Sequence, residues 1–201
     1  MTFFAKFLSY AFHPIFAPLY SVALLFSLPI YLNYKIPQQF INFTYAVIVL
    51  NLVISPILVA FYLKKKGLID SLEMKTARER ILPYLISAIL YGVTFYLFRQ
   101  VQMPELYLKF FLGAFFAIAV LLIGASLSQK ISAHLAGLGG VCGMLYSISV
   151  VTFTETLTWL LLAIVVSGLV ASARLILKSH TGIELISGFL LGFGIQLILF
   201  S

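Results

Sequence analysis

Three histidines stand in a 201-residue chain with thirteen Lys or Arg and only six carboxylates, so the places where these groups gather are where chemistry is to be sought. Residues 173–184 are the richest, with Arg174, His180 and Glu184 at an apolar boundary. His180 and Glu184 are four apart, so a helix starting near Thr181 puts them on one face and lets the carboxylate hold one imidazole nitrogen. The other nitrogen is then free to react. Arg174 is too far upstream for the same turn but can fold back across a bend and offer its guanidinium fork to an anion held over His180. A histidine nucleophile, a carboxylate that orients it and an arginine clamp suit attack on a phosphoryl group. The plainer alternative is a set of snorkelling side chains at a helix end.

Two further clusters bear on that choice. Ser132-Ala133-His134 opens a Gly-rich apolar stretch, and a helix N-terminus there favours an anion through its free amides and dipole. Small side chains at Ser132 and Ala133 let a phosphate approach. His134, with an ordinary pKa near ~6.5, suits proton delivery to a departing alkoxide. Taken singly, Ser132 reads as a helix cap and His134 as an interfacial side chain; a second histidine on the same face favours a working pair. Lys75, Arg78 and Arg80, just before Pro83, supply cations that would neutralise a phosphate at another helix start, although basic residues beside a span also satisfy topology alone. Asp70 and Glu73 have no histidines nearby in the sequence and make a poor ligand set, so neither a metal nor another cofactor is expected. His13, next to Pro14, reads as an interfacial cap.

The elements that must position these groups follow from composition. With 62% hydrophobic and 9% charged residues and a mean hydropathy of +1.10, the chain lies far from the ~45–50% apolar and ~25% charged of soluble domains. At ~20 apolar residues per span, it holds about six or seven transmembrane helices, an all-α polytopic bundle with residues 1–201 as one membrane-embedded domain. Spans are expected near residues 15–34, 40–63, 82–98, 106–127 and 128–153, then one ending near 174 and one from 180 onward, with an amphipathic lead-in over 2–12. The first apolar run merges with a span, as a retained helix and not a signal peptide would. Gly137, Gly139, Gly140 and Gly143, and later Gly188 and Gly192, are placed for close helix contacts. Cys142 stands alone and cannot form an internal disulfide. The net charge of +7 sits in short loops, where the bilayer and its anionic lipids account for it better than nucleic acid does.

Two expected spans separate Arg80 from His134, and two more separate His134 from Arg174. All three clusters therefore fall on one side of the bilayer. Together they resemble the type-2 phosphatidate phosphatase superfamily, whose signature is Lys-x6-Arg-Pro, Pro-Ser-Gly-His and Ser-Arg-x5-His-x3-Asp. Here the third motif stands as Ala173-Arg174-x5-His180-x3-Glu184 and the second as Ser132-Ala133-His134. In the first, Lys75-x6 reaches Leu82-Pro83, with Arg78 or Arg80 in place of the arginine. The resemblance implies that His180 attacks phosphorus to give a phosphohistidine, that Glu184 orients it, and that His134 protonates the leaving lipid oxygen. Arg174, Lys75 and one of Arg78 or Arg80 would hold the phosphoryl oxygens, without a metal. The expected substrate is a membrane lipid phosphate or pyrophosphate such as phosphatidate, phosphatidylglycerophosphate or a polyprenyl diphosphate. A catalytically silent lipid-binding relative and a small transporter with a histidine proton relay are the alternatives. The resemblance points to a bacterial inner membrane with the site on the periplasmic side. The positive-inside rule points to the cytoplasmic side instead, since Lys6, Lys64, Lys65, Lys66 and Lys130 outnumber Lys35, Arg99 and Lys109 opposite.

Overall fold

The computed structural model describes residues 2–74 and 76–200. Every regular element among them is helical, and seven stretches are long and apolar enough to cross a bilayer. The first comprises α1 (Thr2–Ala11) and α2 (Ala17–Ser27), joined by a 3₁₀ turn at Pro14–Phe16. The second comprises α3 (Gln38–Val47), a π-helical segment Ile48–Ile54 and α4 (Ser55–Lys65). Then follow α5 (Ile81–Gln100), α6 (Glu105–Ser126), α7 (Ala133–Thr152), α8 (Leu157–Ile176) and α9 (Gly182–Phe200). The chain is an all-α polytopic bundle.

Proline decides where two of these helices depart from a continuous span. The run expected over 15–34 stops at Ser27 because Leu28 precedes Pro29 and adopts φ −68°, ψ 143°, the extended conformation that a following proline imposes. Asn33 returns to donate its side-chain amide to the carbonyls of Leu25, Phe26 and Leu28, and the Tyr107 hydroxyl donates to its Oδ1. Those contacts satisfy backbone groups that have no water to turn to. In the second span, Pro56 brings no N–H, and the ladder widens just before it to a π-helix.

Glycine sets the central contact. α7 is the most buried span, and it lies backbone to backbone against α9. A Cβ placed on Gly139 or Gly143 would come 2.1 and 2.5 Å from the carbonyl oxygens of Phe189 and Phe193. On the facing helix, one on Gly188 or Gly192 would come 2.4 and 1.9 Å from those of Ser132 and Ala136. Two small-xxx-small faces therefore interlock, in a medium where close approach replaces the hydrophobic effect as the source of association. The large buried side chains Phe98, Tyr107, Phe111, Leu145 and Ile148 fill the half of the bundle away from the starts of α7 and α9.

Four helices end alike. At the ends of α4, α5, α6 and α8 a residue turns left-handed: Gly67, Gln102, Ser128 and Lys178, with φ of 70°, 55°, 60° and 51°. In each case the next amide reaches back to a carbonyl five residues earlier, as Gln129 does to Gly124 at 2.8 Å and Ser179 to Arg174 at 3.0 Å, which is the Schellman closure. Only Gly67 adopts that conformation without steric cost. Ser128→Gly is accordingly expected to stabilise the protein by roughly 0.5 kcal/mol and Ser128→Val to destabilise it by about 1 kcal/mol or more, as read from the thermal unfolding midpoint in detergent.

Candidate active site

The spacing Arg174-x5-His180-x3-Glu184 is built from two helix ends set back to back. The Schellman closure at Lys178 ends α8 and reverses the chain, bringing His180 round after Arg174. Thr181 then caps α9: its hydroxyl accepts the Glu184 N–H at 3.4 Å, and the Glu184 carboxylate accepts the Thr181 N–H at 3.3 Å. This reciprocal pair is a capping box. The same carboxylate oxygen lies 2.6 Å from His180 Nδ1. The His180 side chain is 2% exposed and that of Glu184 23%. A carboxylate accepts only, so Nδ1 carries the hydrogen, and in the neutral ring Nε2 keeps a lone pair.

That ring is held neutral. Burial lowers the His180 pKa most, the guanidiniums of Arg80 and Arg174 lower it further, and Glu184 opposes them. The unfolded chain takes up this proton near pH ~6.5, whereas the folded protein resists it, so stability drains away as pH falls below that point. The unfolding midpoint is therefore expected to drop between about pH 6.5 and 5, and to drop less in His180→Gln. An equal fall in both proteins would contradict this account of the ring.

Hydrogen bonds tie the other clusters to the same end of the bundle. The Ser132 amide donates to the Glu184 carbonyl at 3.1 Å, while the Ser132 hydroxyl accepts the Leu135 N–H and caps α7. Lys130 Nζ donates to the Ser179 carbonyl at 2.9 Å. Arg80 is buried and donates through Nε to the Met74 carbonyl and through Nη1 to the Ile131 carbonyl. Arg174 has a buried Nε with no hydrogen-bond partner, and its charge is felt by His13, His134, His180 and Lys130. Burial, together with Arg80 and Arg174, lowers the Lys130 pKa against the pull of Glu184. Three cations thus press on one another, opposed by Glu184 beside Lys130 and by Glu73 beside Arg174. A pocket of about 310 Å³ opens beside them, lined by Lys130, Lys178, Ser179, His180, Thr181 and Glu184.

Of the residues expected from the sequence, His180, Glu184, Ser132, Arg80, Arg174 and His134 gather here. His134 is buried with Nε2 on the Ser9 carbonyl at 3.1 Å and its ring edge-on to His13, centroids 5.2 Å apart. Ala133 is the first residue of α7, but the neighbouring Ser132 amide and hydroxyl are both engaged within the protein. Arg78 is exposed, and its side chain makes no hydrogen bond or ion pair among the described residues. Lys75 lies outside the described residues. Lys130 belongs to the site although its place in the sequence suggests only a loop charge, and His13 caps the 3₁₀ turn as it reads in the sequence while its ring also meets His134; each adjoins the site only through the folded chain. Comparison of the chain with family models, with characterised proteins and with solved structures yields no match.

Proposed function

We propose that this membrane protein is a phosphatase acting on a lipid phosphate or pyrophosphate through a phosphohistidine at His180. The observation that carries this reading is the 2.6 Å contact between His180 Nδ1 and Glu184 in a pocket lined by Lys130 and Lys178, with the charges of Arg80 and Arg174 acting on the same ring. The contact fixes the tautomer and leaves Nε2 nucleophilic, and the cations stabilise the charge of a phosphoryl group in transfer. Nε2 attacks phosphorus as the bond to the lipid oxygen breaks, and His134 gives that oxygen its proton. Water then attacks the phosphohistidine, the P–N bond breaks, and inorganic phosphate leaves with His180 restored. The orphaned Nε of Arg174 gains a partner when a phosphate oxygen arrives.

A silent lipid-binding protein is the second reading, favoured by one feature: Arg80 and His134 already spend nitrogens on backbone carbonyls. A proton-coupled transporter fits less well. The polar side chains buried deeper in the bundle, Thr94 and Gln196, carry no charge, whereas the ionisable ones collect at one end. The test is phosphate release by the purified protein from phosphatidate, phosphatidylglycerophosphate and a polyprenyl diphosphate in mixed micelles. Turnover of at least one is expected. Saturable binding of the same lipids with no release identifies the silent protein.

A further inference from the structure

The chemistry above needs a proton donor held in place, and His134 has an orienting partner that the sequence motifs do not contain. We propose that α1 and the turn after it supply it: the Ser9 carbonyl and the His13 imidazole position His134, so that His134 exchanges its proton through Nδ1, the nitrogen opposite to the one His180 uses.

The geometry begins with a broken helix end. In a continuing helix the Ser9 carbonyl would take the amide of His13. Instead the His13 N–H turns to the Tyr10 carbonyl at 3.2 Å, and Pro14 brings no hydrogen. The Ser9 carbonyl is thereby left over, as last-turn carbonyls are, and His134 Nε2 lies 3.1 Å from it. A carbonyl only accepts, so Nε2 holds the hydrogen and Nδ1 is the nitrogen left to gain or lose one. His13 is fixed in turn, because its Nδ1 accepts the Ile15 N–H at 3.3 Å, and its ring meets that of His134 at 80°. α1 is held down by Ala5 and Leu8 against Ala173, with Phe12 and Leu177 alongside, one residue from Arg174. The charged or titratable groups acting on His134 are Arg174 from α8, His13 from the turn after α1 and His180 from the turn before α9.

The two histidines are thus oriented in opposite senses. Glu184 pins Nδ1 of His180 and leaves Nε2 to attack; Ser9 pins Nε2 of His134 and leaves Nδ1 to carry the proton. In the transfer step, a substrate phosphate arriving as its monoanion gives its proton to Nδ1, and His134, so protonated, passes that proton to the lipid oxygen as the P–O bond breaks and keeps its Nε2 hydrogen on Ser9. The water that cleaves the phosphohistidine returns a proton to Nδ1. His13 does not touch the substrate in this scheme and is a positioning residue.

The catalytic part rests on the phosphatase reading, but the tautomers do not, so the test reads them directly. Full-length protein with ¹⁵N-labelled histidine is examined in detergent by imidazole nitrogen NMR at neutral pH, each ring assigned with a single His→Gln variant. Hydrogen is expected on Nε2 of His134 and on Nδ1 of His180. In His13→Ala the His134 signals are expected to shift to a mixture of both tautomers, and kcat to fall about tenfold with little change in KM, a fraction of the ~10²–10⁴ that general acid catalysis contributes. His13→Phe, which keeps an aromatic edge against His134, retains the wild-type tautomer and covers the case in which His13→Ala fails to fold. A neutral His134 with its hydrogen on Nδ1 and none on Nε2 in the wild type, or an unchanged His134 tautomer in folded His13→Ala, overturns the proposal. Expected tautomers in a protein that releases no phosphate leave the α1 assignment standing and remove the phosphatase reading.

Discussion

His180→Gln is expected to abolish phosphate release, by about 10⁴-fold or more, the scale on which loss of an activated nucleophile acts. The physical ground is that glutamine can fill much of the imidazole's space and donate an amide hydrogen to Glu184, yet has no lone pair able to attack phosphorus. The capping box between Thr181 and Glu184 does not pass through residue 180, so α9 is expected to start where it does now. Release is measured in mixed micelles, with the unfolding midpoint as the check on folding. A folded variant that retains even a tenth of the wild-type rate would remove His180 from the chemistry.

The second large effect lies in the contact between α7 and α9. Gly192→Val is expected to cost several kcal/mol, at or beyond the upper end of the ~1–3 kcal/mol typical of overpacking. A Cβ there would come 1.9 Å from the Ala136 carbonyl oxygen and 2.7 Å from the Gly140 amide. Both neighbours are backbone, so no rotamer change relieves the clash and the helices must part. As they do, the Ser132–Glu184 bond stretches, and the His134 side of the site separates from the His180 side. Stability and phosphate release should therefore fall together. Gly194, two residues on, has nothing within 4 Å of a built Cβ, and Gly194→Ala is the matched control, expected to leave both unchanged. Equal midpoints for Gly192→Val and Gly194→Ala would mean that the glycine faces do not set the helix spacing.

These two residues also mark what the sequence makes legible. Long apolar runs and glycines four apart are local patterns, and they recover the seven stretches of spanning length and the glycine faces used in packing, but not that the faces of α7 and α9 meet each other. His180 and Glu184 are legible for the same reason: four residues separate them across the start of α9, and Thr181 announces that start. What fails to show in the sequence is long-range or stereochemical. Arg78 and Arg80 stand in one short basic run, and only the folded chain turns the second toward the Ile131 carbonyl and leaves the first in the open. Left-handed ends at Gln102, Ser128 and Lys178 carry no glycine to signal them. Pro29 is plain to see, yet its cutting of the first span depends on Asn33 returning to satisfy the carbonyls it strands. The laying of α1 over His134 rests on Ala5, Leu8 and Ser9, residues with no chemical signature of their own.

A covalent phosphoryl group on one imidazole is the feature on which the whole account stands, and rapid quenching observes it directly. Protein mixed with ³²P-labelled phosphatidate, or with a labelled polyprenyl diphosphate if that is the better substrate, is quenched in alkali within the first turnover and digested. The label is expected on the peptide that carries His180, stable to base and lost in acid, and missing from His180→Gln. Phosphate released at the wild-type rate with no label on the protein, or with the label on a different residue, would contradict the account.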